Sequence, residues 1–299
     1  MKILPPSKQL VTLCLLASAC SALIAQQAAN QQTPPITVEQ IKGNIYQVKG
    51  GSGANAGFFV CEKEVVVIDA KMTEESARQM LKEIEKVSPL PVRKILLTHS
   101  DGDHVNGLTG FPEGIDIMAH ENTCAQVAAA FRTDNQRKHL PNLTFSDRLF
   151  ISTGSDSMAE RIQLLYFGPA HTDGDIIVYF PVEKTAFAGD LLFLTRDPLI
   201  HRAKNGTSSG LVKVLKAILS LDVETILSGH NEPATKKDIM KLIASIEEKQ
   251  VRIGAMVREG KTLDDVKAAF RVDDQPGRTG ASRMPSFVEV IYLELSQNK

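Results

Sequence analysis

Residues 97–104 read Leu-Thr-His-Ser-Asp-Gly-Asp-His and place four possible metal ligands within six positions. An apolar run that predicts a strand ends at Leu97, so the ligand side chains would lie in a tight loop directly after that strand. Zinc and other divalent transition metals bind imidazole and carboxylate groups. Four residues of this stretch carry such groups: His99, Asp101, Asp103 and His104. A polar turn would also suit this composition, but neighbouring carboxylates repel each other unless a cation is present. The stretch therefore favours a metal site.

Three later segments each place a histidine or an aspartate directly after an apolar run. His171 lies in the loop 168–175, Asp190 follows the run 186–189, and His230 follows the run that starts at Thr225. Ligands carried by several strands and gathered at one rim of a sheet are a way for an α/β scaffold to build a rigid metal site. The four segments are therefore expected to converge.

These motifs, in this order, resemble the metallo-β-lactamase superfamily of binuclear metallohydrolases over about residues 36–235. The resemblance includes the Val-Ile-Asp that ends at Asp69. It implies an α/β (α+β) fold, a four-layer αβ/βα sandwich with metals on the sheet rims. It also implies two ligand sets: His99, Asp101 and His171 for one metal, and Asp103, His104 and His230 for the other, with Asp190 bridging the two.

The chain departs from the family's usual His-x-His-x-Asp-His motif at Asp101, which replaces the second histidine. A carboxylate there adds negative charge beside one metal, weakens its Lewis acidity and tilts the site toward iron or manganese. A diiron flavoprotein branch carries a carboxylate at this position, but nothing in the sequence resembles its flavin domain. Two Zn²⁺ ions are therefore the expected cofactors, with iron or manganese as the alternative.

The resemblance implies a zinc-dependent hydrolase in which paired cations, about 3.5–4 Å apart, activate a water that attacks a carbonyl carbon. The candidate proton-handling carboxylates are Asp103 and Asp190. True metallo-β-lactamases tend to have Cys or Ser at the bridging position, whereas an aspartate is typical of thioesterase (glyoxalase II), lactonase and generic hydrolase branches. The expected substrate is a small ester, thioester, lactone or β-lactam.

The sequence leaves two alternative functions open and disfavours a third. A metallo-β-lactamase proper that acts on β-lactam antibiotics stays open, as does a non-hydrolytic diiron redox protein on the same fold. A serine hydrolase is disfavoured, because the Gly-x-Ser-x-Gly pattern at residues 206–210 follows a polar segment where that motif requires a strand.

The N-terminus predicts export. Lys2 and Lys8 precede an apolar stretch that extends to Ala25, so residues 1–25 read as a signal peptide of a periplasmic or secreted protein. A lipoprotein anchored at Cys20 is the less favoured alternative. Residues 26–35 read as a linker.

Composition limits the remaining possibilities. The 299 residues suffice for one large domain or two small ones, and the net charge of −1 gives no argument for a nucleic-acid partner. No later apolar run is long enough to span a bilayer, so membrane insertion of the mature chain is not expected. Cys61 and Cys124 could pair or stay as thiols, and the oligomeric state is left open.

Hydrophobic periodicity predicts two β-rich halves with exterior helices, followed by a C-terminal helical extension, residues 236–299, packed on the same domain. Residues 133–149 are polar and are expected to form a loop. Residues 191–207 are expected to line one wall of the pocket, opposite a hairpin at residues 51–56.

Five further side chains lie near the predicted ligands. His120 is expected to be a packed or hydrogen-bonded strand residue rather than a ligand. His139 and His201 fall in polar loops and are expected to be exposed, with contact to a substrate as the alternative. Asp173 and Asp175 would either orient His171 from behind or lie in a solvated turn.

Overall fold

The structure is a computed structural model that describes residues 33–152, 161–272 and 284–297. The chain divides into two units, residues 1–35 and 36–299. Residues 1–25, predicted as a signal peptide, lie outside the described residues, as does most of the predicted linker. Among the described helices, none combines the length and the apolar character that crossing a bilayer requires.

The first half of the larger unit forms a seven-stranded sheet. In sheet order its strands are β1 (Thr37–Lys42), β2 (Ile45–Lys49), β3 (Ala56–Val60), β4 (Val65–Ile68), β5 (Val92–Leu96), β6 (Asp116–His120) and β7 (Leu143–Phe145). The strands from β1 to β4 pair antiparallel, and those from β4 to β7 pair parallel. All residues of β4 are buried, as expected of a strand covered on both faces.

The second half forms a five-stranded sheet. In chain order its strands are β8 (Arg148–Ser152), β9 (Arg161–Tyr166), β10 (Ile176–Phe180), β11 (Thr185–Phe187) and β12 (Thr225–Leu227). Only β11 and β12 pair parallel; the other neighbours are antiparallel. A helix crosses between β11 and β12, as a parallel connection requires.

Eight α-helices are described. They are α1 (Glu74–Val87), α2 (Gly102–Val105), α3 (Glu121–Ala130), α4 (Asp134–Arg137), α5 (Ser208–Ser220), α6 (Lys236–Arg258), α7 (Leu263–Ala269) and α8 (Phe287–Ser296). Helix α1 begins at Thr73, whose side chain accepts a hydrogen bond from the Ser76 amide, and it buries Ala77, Met80 and Ile84 on one face.

Three apolar clusters give the order of the layers. One lies between the two sheets and includes Phe59 of β3 and Phe180 of β10. A second packs α1 on the other face of the first sheet, and a third packs α5, α6 and α8 on the second sheet. The result is helix, sheet, sheet, helix, so the predicted four-layer sandwich is confirmed.

The prediction of a loop over residues 133–149 is wrong. Helix α4, strand β7 and the start of β8 lie there. These elements are short, and β7 is ordered by pairing with β6 rather than by its own pattern. His139 is correspondingly only 3% exposed, and its ring nitrogens lie 2.9 Å and 3.1 Å from the carbonyl oxygens of Asn135 and Phe111. Its predicted exposure is therefore also wrong.

Candidate metal centre

The loops that follow four strands bring together the seven residues proposed as metal ligands. One set, here called the first group, comprises His99, Asp101, His171 and Asp190, all of them buried. The second group comprises Asp103, His104, Asp190 and His230. Within each group, one ligand atom from every residue lies within 4.8 Å of the others. Asp190 belongs to both groups, which is the arrangement expected of a residue that bridges two ions.

The imidazole nitrogens and the carboxylate oxygens face each other within these groups. His171 Nε2 lies 3.1 Å from Asp101 Oδ2. The two oxygens of Asp190 face opposite neighbours, since Oδ1 lies 3.1 Å from His104 Nε2 and Oδ2 lies 3.2 Å from His230 Nε2. Both histidines belong to the second group, so it is the membership of Asp190 in the first group as well that would let its carboxylate join two ion sites.

Hydrogen bonds behind the histidines fix which nitrogen faces the centre. His104 Nδ1 donates to Asp69 Oδ2 at 2.8 Å, and His171 Nδ1 donates to the Leu199 carbonyl at 2.7 Å. Such contacts hold the ring and leave Nε2 for a metal. His99 Nε2 is buried and has no hydrogen-bond partner among the described residues. Because buried polar atoms are nearly always satisfied, this orphan nitrogen fits a metal ion.

Electrostatics favour the metal-binding form of three residues of the first group. Burial disfavours the charged form of Asp101, but hydrogen bonds from His171 and His201, together with the nearby imidazoles, outweigh it and hold the pKa of Asp101 below its usual range. Burial also disfavours ionised Asp190, yet the neighbouring His104 holds its pKa well below the usual value. Burial lowers the pKa of His99. These three residues thus present carboxylate anions and a neutral imidazole, the protonation states that bind divalent cations. At His171 burial lowers the pKa, but the hydrogen bond to Asp101 and the nearby carboxylates raise it to about 9, so a metal ion would displace a proton from that ring.

Comparison with known proteins agrees with this geometry. Residues 50–230 match the family model described as the metallo-beta-lactamase superfamily. The chain belongs to the metallo-beta-lactamase superfamily. The match spans every residue of both groups.

Three known proteins are similar to the chain. It is 28% identical over 201 residues to the 2,4-dinitroanisole O-demethylase subunit alpha of Nocardioides sp. (strain JS1661). That alignment covers 66% of this chain and 58% of the relative. It is also 28% identical over 177 residues to the metallo-beta-lactamase type 2 of Elizabethkingia meningoseptica, covering 57% of this chain and 68% of the relative. The solved metallo-beta-lactamase from Pontibacter korlensis shares the fold, with a TM-score of 0.61, 17% identity, and coverage of 71% of this chain and 99% of that one.

Two glycines permit the close approach of the loops in this superfamily member. A Cβ on Gly229 would lie 2.4 Å from Asp190 Oδ1 and 2.7 Å from His104 Cε1. Gly189 has a left-handed φ of 48°, and a Cβ there would lie 2.6 Å from the Thr98 hydroxyl oxygen. Side chains at either position would occupy space that the ligand residues need.

Asp69 also belongs to the site, although its sequence context predicted no role for it there. It accepts hydrogen bonds from the Thr98 amide and hydroxyl and from His104. Its backbone φ of 60° lies in the left-handed region, where aspartate is tolerated better than most residues. The available signal was an aspartate directly after a fully buried strand.

Asp173 and Asp175 were predicted either to orient His171 or to lie in a solvated turn, and the contacts around His171 agree with neither role. Asp175 is 4% exposed and accepts hydrogen bonds from the Thr172 amide and hydroxyl, so it is not part of a solvated turn. Asp173 accepts from Gln126. The group that orients the His171 ring is instead the Leu199 carbonyl, which no local pattern indicated.

Two of the other histidines have clear positions. His120 is buried and stacks on Tyr166 with 3.9 Å between ring centroids, so its predicted packing role is confirmed. His201 was expected to be exposed, and this is wrong: its side chain is 21% exposed, and Nε2 lies 2.6 Å from Asp101 Oδ2. The loop that carries His201 folds back over the first group, which a polar composition does not reveal.

The walls of the site come from two segments. Phe193 stacks on His230 with 5.7 Å between ring centroids, and Arg196 Cζ lies over the Phe193 ring, 4.4 Å from its centroid. Residues 51–56 lie beside the second group, where the Ala54 amide donates to the Asp103 carbonyl.

Cys124 is a free thiol that donates to the Pro141 carbonyl, so it is not paired with Cys61.

Proposed function

We propose that this protein is an exported hydrolase that uses two divalent metal ions to cleave a small ester, thioester, lactone or β-lactam. The observation that carries the proposal is the pair of ligand groups that share Asp190. The orphan Nε2 of His99 adds independent support, because a buried imidazole nitrogen with no partner is costly unless it binds an ion.

Zinc is the metal proposed first. Imidazole and carboxylate ligands in two adjacent clusters suit it, and each group offers two imidazoles and two carboxylates. Because carboxylate oxygens also suit harder metals, iron or manganese is the alternative, above all in the first group, where Asp101 replaces the family's usual histidine. Elemental analysis of the purified protein separates these choices.

The protein's own groups have distinct tasks in this proposal. When bound, paired divalent cations lower the pKa of a water and polarise a carbonyl group. Asp190 is 3% exposed at its side chain and belongs to both ligand groups, so in this proposal it holds the two ion sites together. Asp103 is 27% exposed at its side chain, so its carboxylate is the one that can exchange a proton with a substrate's leaving group.

The wall residues suit a small organic substrate. Phe193 presents an aromatic ring beside His230, and Arg196 places a cation above that ring. An apolar surface with one cation favours a compact acyl compound over a polymer. The similarity to an O-demethylase subunit adds 2,4-dinitroanisole to the compounds worth testing, and the similarity to a metallo-beta-lactamase keeps β-lactams among them.

The test is a chelation and substitution experiment on the purified protein. A chromogenic panel of ester, thioester, lactone and β-lactam, with 2,4-dinitroanisole, identifies the bond that is cleaved. Dipicolinate should abolish turnover and zinc should restore it. Bound iron with oxygen or peroxide turnover, and no hydrolysis, would instead favour the redox alternative.

Substitution of ligands gives the second arm. Asp190→Ala, His171→Ala and His230→Ala should each lower turnover by orders of magnitude, because a lost ligand opens the metal shell. Asp222→Ala is the matched control, since its side chain is 76% exposed and, within the described part of the chain, forms its ion pair with Lys184 at the surface. Near-normal rates in all three ligand variants would refute the proposed site.

Export is a separate part of the proposal. It rests on the basic and apolar N-terminal residues alone. N-terminal sequencing and mass analysis of the protein recovered from the periplasm or medium test it, and they also separate free mature protein from a form lipidated at Cys20.

A further inference from the structure

Asp101 makes two contacts that the seven ligand residues do not account for. Its Oδ2 atom lies 2.6 Å from His201 Nε2, closer than the 3.1 Å that separates it from His171 Nε2. Its Oδ1 atom lies 2.6 Å from Lys204 Nζ. Both partners belong to the segment between β11 and α5, and neither is among the residues that the sequence pattern assigned to the site.

His201 is directed at the centre rather than at the solvent. Its ring lies 4.9 Å from the ring of His171, at an interplanar angle of 87°. Proposed ligand atoms elsewhere in the centre also lie within hydrogen-bond distance, since His230 Nε2 is 3.1 Å from Asp103 Oδ2 and 3.2 Å from Asp190 Oδ2. His201 Nε2 approaches Asp101 Oδ2 more closely than this, so it lies beside the ion that Asp101 would hold. His201 lies outside the four-residue cluster whose ligand atoms are all within 4.8 Å of one another, so it would complete the shell from the Asp101 side.

Backbone hydrogen bonds fasten His201 to the loop that carries His171. The His201 amide donates to the His171 carbonyl at 2.8 Å, and the Gly206 amide donates to the His201 carbonyl at 3.0 Å. A Cβ on Gly206 would lie 2.2 Å from the His171 carbonyl oxygen. This close packing means that the two imidazoles are positioned together, as a pre-organised pair of ligands would be.

Lys204 holds the other side of Asp101. Its ammonium group also contacts the Ser100 hydroxyl at 2.9 Å, which fixes it next to Oδ1. The positive charge offsets the negative charge that Asp101 brings to the first group. With Oδ1 held by Lys204, Oδ2 is left to face His171 and His201.

We propose that His201 is a further metal ligand of the first group, beside His99, Asp101, His171 and Asp190. The inference rests on the proposed function, since it requires that the first group binds an ion. It gives the first group three imidazoles and two carboxylates. A five-residue set of this kind takes zinc, iron or manganese.

The test measures metal binding, not turnover. Wild-type protein, His201→Ala and His201→Gln are stripped of metal and titrated with zinc against a chromophoric chelator, and with cobalt(II) to record the ligand-field spectrum. Glutamine keeps a hydrogen-bond donor for Asp101 but lacks the imidazole. Lys213→Ala, on the exposed face of α5, is the control substitution.

The expected result is that wild type binds two ions and that both His201 variants bind one of them at least 10-fold more weakly, with an altered cobalt spectrum. If His201→Ala loses affinity but His201→Gln retains it, His201 only holds Asp101 and the inference is wrong. It is also wrong if both variants bind like wild type, although the proposed function then stands. A wild-type protein that binds no ion overturns both.

Discussion

Replacement of Gly229 by alanine tests whether the second group needs its observed spacing. The added Cβ would lie 2.4 Å from Asp190 Oδ1, 2.7 Å from His104 Cε1 and 3.0 Å from His104 Nε2. Ordinary contacts between non-bonded heavy atoms are about 3.5 Å, so one of these groups must move by about 1 Å. The backbone at residue 229 cannot absorb the shift easily, because its amide donates to Gly189 and its carbonyl accepts from Asn55.

The displacement should therefore fall on the ligands. Metal sites tolerate deviations of about 0.2 Å in ligand distance, and an error of about 1 Å in a catalytic group can lower a rate about 100-fold. We expect Gly229→Ala to weaken binding of one ion at least 10-fold and to lower turnover about 100-fold. Overpacking should also lower the free energy of unfolding by about 1–3 kcal/mol.

The assay combines zinc titration against a chelator, turnover on the best substrate of the panel, and urea unfolding. Gly254→Ala is the matched control: it lies within α6, its Cβ would meet atoms no closer than 3.4 Å, and alanine should stabilise the helix by about 0.5–1 kcal/mol. If Gly229→Ala bound two ions and turned over like wild type, the steric reasoning about this glycine would be refuted.

Two other residues give further predictions. Asp69→Asn removes the carboxylate that fixes His104, and zinc affinity should fall about 10- to 100-fold in the chelator titration; unchanged affinity would mean that His104 is oriented without it. Burial lowers the pKa of Lys71 to about 8 in the folded protein, so the unfolded chain binds the Lys71 proton more strongly. The free energy of unfolding should therefore rise with pH, by up to about 3 kcal/mol between pH 8 and 10.5. Urea unfolding across that range should show the rise in wild type and not in Lys71→Met; equal slopes in the two proteins would contradict it.

Elements with a strong local signal were predictable from the sequence. Helix α1 has both a cap at Thr73 and a buried face formed by Ala77, Met80 and Ile84, so cap and periodicity point to the same segment. Strand β7 has three residues, two of them exposed, and is ordered by its partner β6. Such an element leaves no periodic pattern, because its stability comes from a neighbour distant in sequence.

The same distinction holds at the metal centre. The seven ligand residues follow apolar runs, so a strand end and a ligand type coincide in the sequence. His201 and Lys204 lie in a polar segment, and their contact with Asp101 depends on how that segment folds back across about a hundred residues. The carbonyl of Leu199 is less visible still, because every residue has one. Backbone partners of ligands can be found only from coordinates.

The distribution of ligands along the chain explains why the site needs the whole sandwich. Residues 99–104 follow β5 of the first sheet, whereas His171, Asp190 and His230 follow strands of the second. Each sheet alone would leave charged or polar groups without partners: Asp190 faces His104 from across the sheet boundary, and Asp103 faces His230. The apolar cluster between the sheets, with Phe59 against Phe180, brings these groups to hydrogen-bond distance. Burial of that cluster supplies the free energy that holds the ligand residues of the two sheets close enough to share ions.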